Sequence, residues 1–314
     1  MRGRPPKARG LDSPRPLASG AARNNLWDMT GTLLSIGHGY SARELAQSLE
    51  PGWRVIGTSR SAEGAEALRR TGIEARIWPG DDLGPDLAAA THLMTSVPPG
   101  ASGDPVLAAL GETLRAARHL RWVGYLSTTG VYGDHGGDWV DETAPLTPAT
   151  SRGEARVAAE AGWAALGLPL HIFRLAGIYG PGRSPLDRVR EGRAQRIVKE
   201  GQVFSRIHVA DIAQVLAASM AAPDPGAIYN LADDEPAPPD EVIAFAAEML
   251  GLPVPPAIPF EKAELSPMAR SFYAESKRVR NDRIKTELGV HLRHPDYRAG
   301  LAALLETERA AMIR

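Results

Sequence analysis

The sequence predicts an α/β fold, a doubly wound parallel sheet joined to a smaller C-terminal lobe. Three observations predict it. From Gly31 onward short apolar runs alternate with longer stretches of helical periodicity, the mark of repeated βα units. The runs are short and almost wholly apolar, as strands are when helices cover both faces of their sheet. The first run ends in a glycine-rich turn that opens directly into a helical segment.

In chain order, Thr32–Ile36 is the first strand, and Ser41–Leu49 carries Ala42, Leu45, Ala46 and Leu49 on one helical face. Arg54–Ser59 is a second strand and Ala62–Arg70 a helix. Ile73–Trp78 is a third strand, and His92–Val97 a fourth, closed by Pro98-Pro99-Gly100. A helix over Pro105–Arg118 leads to a fifth strand, Trp122–Ser127. A long helix over roughly Gly153–Leu166 leads to a sixth, Leu170–Leu175. After Gly180 arginine and proline become frequent. There the pattern predicts a strand-like Val203–Val209, a helix Asp211–Ala221, a strand Ala227–Leu231 and a helix Pro239–Leu250. A Pro-rich stretch and a polar segment then precede two helices near Val279–Leu288 and Asp296–Thr307. Residues 29–180 are therefore expected to form the main domain, and 181–314 to add late strands and the lobe.

Composition excludes several classes. The 314 residues carry a net charge of -1 with no basic stripe, so nucleic acid is not an expected partner. There is no cysteine, which removes disulfides and thiolate chemistry and suits a cytoplasmic chain. No apolar run is long enough for a bilayer, and the eight histidines show no zinc-like spacing, so neither a membrane nor a metal is expected. Residues 1–28 hold six basic residues against Asp12 and Asp28 among prolines and glycines, a composition expected to be disordered. Met29, just before the first strand, is an alternative start.

The turn Gly37-His38-Gly39-Tyr40-Ser41-Ala42 follows a strand and opens a helix, the context of a Rossmann-type dinucleotide site. Gly37 permits the tight turn, Gly39 lets the backbone approach a diphosphate, and Ala42 allows close helix packing. An acidic residue at the end of the second strand would bond the ribose hydroxyls of NAD. Ser59-Arg60-Ser61 stands there instead, so Arg60 can pair with a 2′-phosphate while both serines donate to it. NADP is thus favoured, with NAD still possible. Asp81 or Asp82 either touches the adenine or caps the next helix, and Ser96, Val97 and Pro98 border the same cofactor from the end of the fourth strand.

Further motifs follow in order: Ser127-Thr128-Thr129-Gly130-Val131-Tyr132-Gly133, Asp141-Glu142-Thr143, Arg174 through Arg183, Arg206-Ile207-His208-Val209-Ala210-Asp211, and Tyr229-Asn230-Leu231-Ala232. From about residue 32 to 232 the chain resembles the extended short-chain dehydrogenase/reductases, the NAD-dependent epimerase/dehydratase group. Lys277-Arg278-Val279, Glu287-Leu288-Gly289-Val290 and Pro295-Asp296-Tyr297-Arg298 resemble its YeeZ-like branch. The resemblance implies a small-molecule substrate whose oxygen Thr128 polarises. It also implies a tyrosine acid/base four residues before a lysine, on the helix that here ends Val157-Ala158-Ala159-Glu160, and it makes a homodimer an expectation.

Arg152 occupies the tyrosine position and Arg156 the lysine position. Arginine stays protonated and cannot exchange a proton near neutrality, although Arg156 can still hold a ribose or a phosphate. Tyr132, Tyr125, Tyr179 and His208 are the alternative proton carriers. Arg152, Arg156, Arg174, Arg183 and Arg206 could gather around an anionic ligand, with Tyr132 beside it, or could instead pair with Glu142, Glu154 or Glu160. Two functions remain: an NAD(P)-dependent oxidoreductase or epimerase acting on a small polar, anionic or phosphorylated, sugar-like substrate, or an NADP(H)-binding sensor without the usual chemistry.

Overall fold

A computed structural model describes residues 30–312; the expected basic extension, 1–28, lies outside them. Seven parallel strands form the central sheet: β1 (Thr32–Ile36), β2 (Arg54–Ser59), β3 (Glu74–Ile77), β4 (His92–Thr95), β5 (Trp122–Thr128), β6 (Leu170–Leu175) and β7 (Ile228–Leu231). Their spatial order is β7-β6-β5-β4-β1-β2-β3, a doubly wound sheet as expected. The order reverses between β1 and β4, so the connections leave in opposite directions there and open a crevice at the strands' C-terminal ends.

Strand residues alternate between the two faces, and the core follows that period of two. Leu33 and Val55 join Leu45, Trp122, Phe173, Leu216 and Tyr229 on one face. Leu34, Ile36 and Ile56 join Leu114, Tyr125, Trp163 and Ile172 on the other. On the first face α1 (Tyr40–Ser48) packs against α7 (Val209–Ala221); α2 (Ala62–Arg69) lies beside β2 and β3. Three further helices, α3 (Gly84–Ala89), α4 (Pro105–Ala116) and α5 (Ser151–Ala164), lie between β3 and β6 in the chain, and α5 packs on β5 and β6. Among the described residues no helix is long and apolar enough to cross a membrane.

The C-terminal lobe has its own apolar cluster. Leu186 of α6 (Pro185–Arg190), Val242 and Ala246 of α8 (Pro239–Met249), and Leu301 of the final helix, Tyr297–Met312, meet in it. A short parallel pair, Gly177–Tyr179 with Arg206–His208, fastens this lobe to the end of β6. The Asp211 carboxylate accepts N–H bonds from Arg293 (2.6 Å) and His294 (3.1 Å), tying the last segment to the start of α7.

Boundaries differ from the sequence pattern where a cap or a short pair intervenes. Val203–Val209 contributes only Arg206–His208 as strand, because His208 Nδ1 accepts the Ala210 N–H and starts α7 at Val209. The helix expected over Val279–Leu288 shrinks to Asp282–Thr286, since Arg278–Val279 pairs with Trp139–Val140. A six-residue helix, Pro267–Phe272, interrupts the polar segment and was too short for its period to show.

Buried histidines mark the sheet. His92 meets the Trp53 ring edge-on at 4.8 Å, and Trp122 stacks on His171 at 5.8 Å. Burial holds His38, His92 and His208 down to about 4. Below the unfolded value of 6.5 the unfolded chain takes up protons that these rings refuse, so each removes stability as pH falls toward 4. Burial raises Glu142, Asp211 and Asp233, which act in the opposite direction, so one ring must be isolated to read its effect. At about 1.4 kcal/mol per pH unit, His92→Phe should gain roughly 2 kcal/mol on wild type between pH 7 and pH 5 in urea denaturation. A difference that stays constant with pH would contradict a buried neutral His92.

Candidate functional site

The glycine turn sits at the crevice and is pinned from both sides. Gly37 has φ +79°, the left-handed region open to glycine, and its N–H donates to Thr58 Oγ1 at 2.8 Å. The His38 N–H donates to the Thr58 carbonyl at 3.0 Å. From the β4 side Ser96 Oγ donates to the Gly37 carbonyl, and a Cβ on Gly37 would lie 2.9 Å from Val97 Cγ2. Pro98 follows, exposed. Gly39 precedes α1 with no side-chain cap, and the nearest atom to a Cβ built there is 3.8 Å away. Ser41 and Ala42 are buried, seating α1 on the sheet. An uncapped helix start with open space before it fits the diphosphate of a dinucleotide, because its free N–H groups and partial positive charge have no other partner.

At the end of β2, Ser61 Oγ accepts the Gly64 N–H at 3.1 Å and caps α2, while Ser59 Oγ lies 3.5 Å from the Ser61 N–H. Arg54 pairs with Glu74 and Arg76 with Asp86, each at 2.7 Å. Arg60, exposed just past the end of β2, forms no ion pair among the described residues. Asp82 accepts the Gly84 N–H at the start of α3, and Asp81 accepts the Ile77 N–H, so both carboxylates already serve local turns.

Thr128 ends β5, and its Oγ1 accepts the Gly130 N–H at 3.2 Å, leaving its hydroxyl proton free to donate. Arg156 Nη1 donates to the Leu126 carbonyl at 2.8 Å and to Tyr125 Oη at 3.1 Å, which turns its guanidinium toward the end of β5. Arg152, exposed in the first turn of α5, stands 4.6 Å over the Phe272 ring. Arg183 lies 5.9 Å from the Tyr40 ring, whose hydroxyl donates to the Pro181 carbonyl at 3.0 Å.

Two of the five arginines, Arg174 and Arg206, are held inward by protein partners. Arg206 is held inward, donating to the carbonyls of Phe204 (2.8 Å) and Ala237 (3.1 Å), and its desolvation lowers its pKa. Arg174 is 3% exposed and forms a two-pronged bond to Glu160 at 2.8 and 3.2 Å. Glu160 also accepts from Ser127 Oγ at 2.5 Å.

Tyr132 does not line a cleft either. It is fully buried, donates to Asn230 Oδ1 at 2.7 Å and accepts from Arg174 at 3.0 Å. Burial raises the pKa of Tyr125 to about 12 and that of Tyr179 further, and Tyr179 Oη donates to the Asp296 carbonyl. His208 is buried too, so all four alternative proton carriers lie inside the protein.

Two features escape the sequence pattern. Lys277 Nζ donates to the Gly133 carbonyl at 2.6 Å and pairs with Glu275 at 2.7 Å, clamping the tail to the turn after Thr128. The Lys277-Arg278-Val279 motif signals kinship without showing this contact. His208, Asp211 and His294 bring metal-ligand atoms within 4.8 Å of one another. The Asp211 oxygens hold backbone N–H groups there, and His208 Nδ1 caps α7.

Removing one partner of a buried ion pair strands the other charge, at about 3–5 kcal/mol. Arg174→Met should therefore lower stability to urea by that amount, and adding Glu160→Leu should recover most of it. Equal stability of the single and double variants would show that Glu160 carries no unpaired charge.

No family model matches the chain. Among solved structures it is similar to a conserved protein of unknown function from Silicibacter pomeroyi, 63% identical, TM-score 0.84, covering 88% of this chain and 99% of that one. It is also similar to a NAD-dependent epimerase/dehydratase candidate from Methylobacillus flagellatus, 28% identical, TM-score 0.67, covering 89% and 99%. A UDP-glucuronic acid 4-epimerase from Bacillus cereus, in complex with NAD and a UDP-sugar, shares the fold at 17% identity, TM-score 0.70, covering 89% and 99%. A Streptomyces 3-diazoavenalumate denitrifying reductase is 29% identical over 52% of this chain and 55% of its own. Protein YeeZ of Escherichia coli is 31% identical over 278 residues, 83% of this chain and 95% of that one. With that extent of identity, the chain belongs to the family of Protein YeeZ, built on the fold of the NAD-dependent epimerases and dehydratases.

Proposed function

We propose that the protein is an NADP-preferring oxidoreductase or epimerase-like enzyme acting on a small, anionic, sugar-like substrate. The observation that carries the cofactor choice is Arg60, exposed at the end of β2 and in no ion pair among the described residues, while Arg54 at the start of β2 and Arg76 on β3 are both engaged. A 2′-phosphate offers the acceptor this guanidinium lacks, with Ser59 and Ser61 beside it. Gly37 through Ala42 would hold the diphosphate, and Ser96, Val97 and Pro98 would border the nicotinamide half. The cofactor, when bound, supplies or accepts the hydride.

Thr128 holds the substrate's oxygen through its free hydroxyl proton, beside the fixed positive charge of Arg156 at the Leu126 carbonyl. The reductase among the relatives and the NAD complexes that share the fold support a redox step. A cytoplasmic setting and pairing of two copies complete the reading. One observation favours a second reading, an NADP(H) sensor without turnover. Arg152 and Arg156 cannot exchange protons, and the tyrosines at Tyr125, Tyr132 and Tyr179 are buried.

Fluorescence titration with NADPH and NADH tests the cofactor. Wild type should bind NADPH more tightly, and Arg60→Ala should weaken NADPH at least about tenfold, the worth of one charge-assisted bond, with NADH unchanged. Equal affinities unaffected by Arg60→Ala would reject NADP preference. Oxidation of NADPH by carbonyl compounds or nucleotide sugars, lost in Thr128→Ala, supports the enzyme; tight binding without turnover across a broad panel supports the sensor.

A further inference from the structure

Arg183 is one of the arginines that could meet an anionic ligand, and its surroundings belong to the glycine turn. Tyr40 follows Gly39 directly and is the first residue of α1. Its hydroxyl crosses to the Pro181 carbonyl at 3.0 Å, so the phosphate turn and the loop after β6 touch across the crevice. The loop has no freedom to withdraw sideways. Gly180 has φ +152°, and a Cβ built on it would lie 2.5 Å from Tyr40 Oη and 2.7 Å from Val209 Cγ1.

The backbone that carries Arg183 is fixed as well. Gly180 and Arg183 exchange both backbone hydrogen bonds, at 3.2 and 3.0 Å. The next residue, Ser184, forms a reciprocal cap with Asp187 at the start of α6. The guanidinium therefore leaves a rigid four-residue turn and reaches the Tyr40 ring at 5.9 Å. It forms no ion pair among the described residues. Of the two acids close to Tyr40, Asp187 already serves its cap and lies 3.8 Å from Arg190, and Glu44 forms no ion pair with Arg183 among the described residues. Two positive elements thus face one opening: the uncapped start of α1, and Arg183 held against it through Tyr40.

We propose that Arg183 is a cofactor-binding residue that grips the dinucleotide's diphosphate from the wall opposite α1, with Tyr40 as the post that positions it. The inference rests on the dinucleotide reading of the Gly37 turn and deepens it. A planar guanidinium suits two neighbouring phosphate oxygens, and the helix N–H groups would take oxygens on the other side. Arg206 is placed differently, held inward by the bonds of its Nη1 to the carbonyls of Phe204 and Ala237.

The diphosphate is common to NADH, NADPH and ADP-ribose, and adenosine 2′-monophosphate lacks it. Arg183→Ala, at an exposed position, should weaken binding of the first three by a similar factor, about tenfold, and leave adenosine 2′-monophosphate unchanged. Arg60→Ala should show the complementary pattern, weakening only the two ligands that carry a 2′-phosphate. Arg183→Lys should recover part of the loss, and Tyr40→Phe should weaken the same three ligands more mildly by releasing the loop. Unchanged dinucleotide affinity in Arg183→Ala overturns the inference while the cofactor reading stands. Equal weakening of adenosine 2′-monophosphate overturns it too, because it reveals only a general field. Wild-type protein that binds no dinucleotide removes both.

Discussion

A left-handed glycine held between two strands is the constraint on which the crevice depends. Gly37 leaves β1 at the point where strand order reverses, and three groups fix it there: Thr58 on β2, and Ser96 and Val97 beyond β4. A side chain at Gly37 would collide with Val97 and would have to adopt a backbone conformation that costs L-residues on the order of 1 kcal/mol or more. Because the turn is fixed, the direction of α1 is fixed, and with it the line along which its free N–H groups point. Ala42 and Leu45 then bring α1 against the same core as α7. That contact also places the start of α7, and therefore the lobe that Asp211 fastens to it. Cofactor turn and lobe are in this way parts of one packing arrangement.

A second constraint keeps α5 in register although its chemistry has changed. Glu160 is buried and joins three partners: Arg174 on β6, Ser127 on β5 and, through Arg174, Tyr132. A carboxylate and a guanidinium so buried are tolerated only because nearly every donor and acceptor is used. The network lies at the ends of β5 and β6, and its hydrogen bonds include neither Arg152 nor Arg156. The seat of α5 therefore does not depend on the side chains at those two positions.

The fold was legible in the sequence because its signals are local. Thr32–Ile36, Arg54–Ser59 and Leu170–Leu175 read as strands with the bounds the structure shows, since apolar runs ended by glycine, proline or polar clusters are set by neighbours in the chain. The glycine turn was legible for the same reason. What escaped depends on distance. Nothing near Arg206 in the chain tells that Ala237 will supply its carbonyl partner, and nothing near Tyr132 announces Asn230. Of the two arrangements open to the arginines, Arg174 takes the ion pair with Glu160, a choice set by a residue fourteen positions away in the chain. Short helices such as Pro267–Phe272 carry fewer than two turns, too little for a period to register.

Arg152 and Arg156, standing where the resemblance implies a tyrosine and a lysine, bear on what chemistry the crevice could host. A tyrosine acid/base works because its proton can leave and return near neutral pH, helped by an adjacent cation. A guanidinium supplies the cation permanently and the proton never. Thr128 brings a hydroxyl donor and Arg156 a fixed charge at the end of β5, while the Arg152 guanidinium stacks on Phe272. Within the proposed function, such groups would stabilise negative charge developing on a substrate oxygen. They do not take a proton from an alcohol. In either direction of a redox step the proton must therefore pass to or from solvent or the substrate itself, because neither guanidinium exchanges it near neutrality. Arg152 and Arg156 would hold and polarise a bound oxygen, and a proton carrier would have to come from outside the pair.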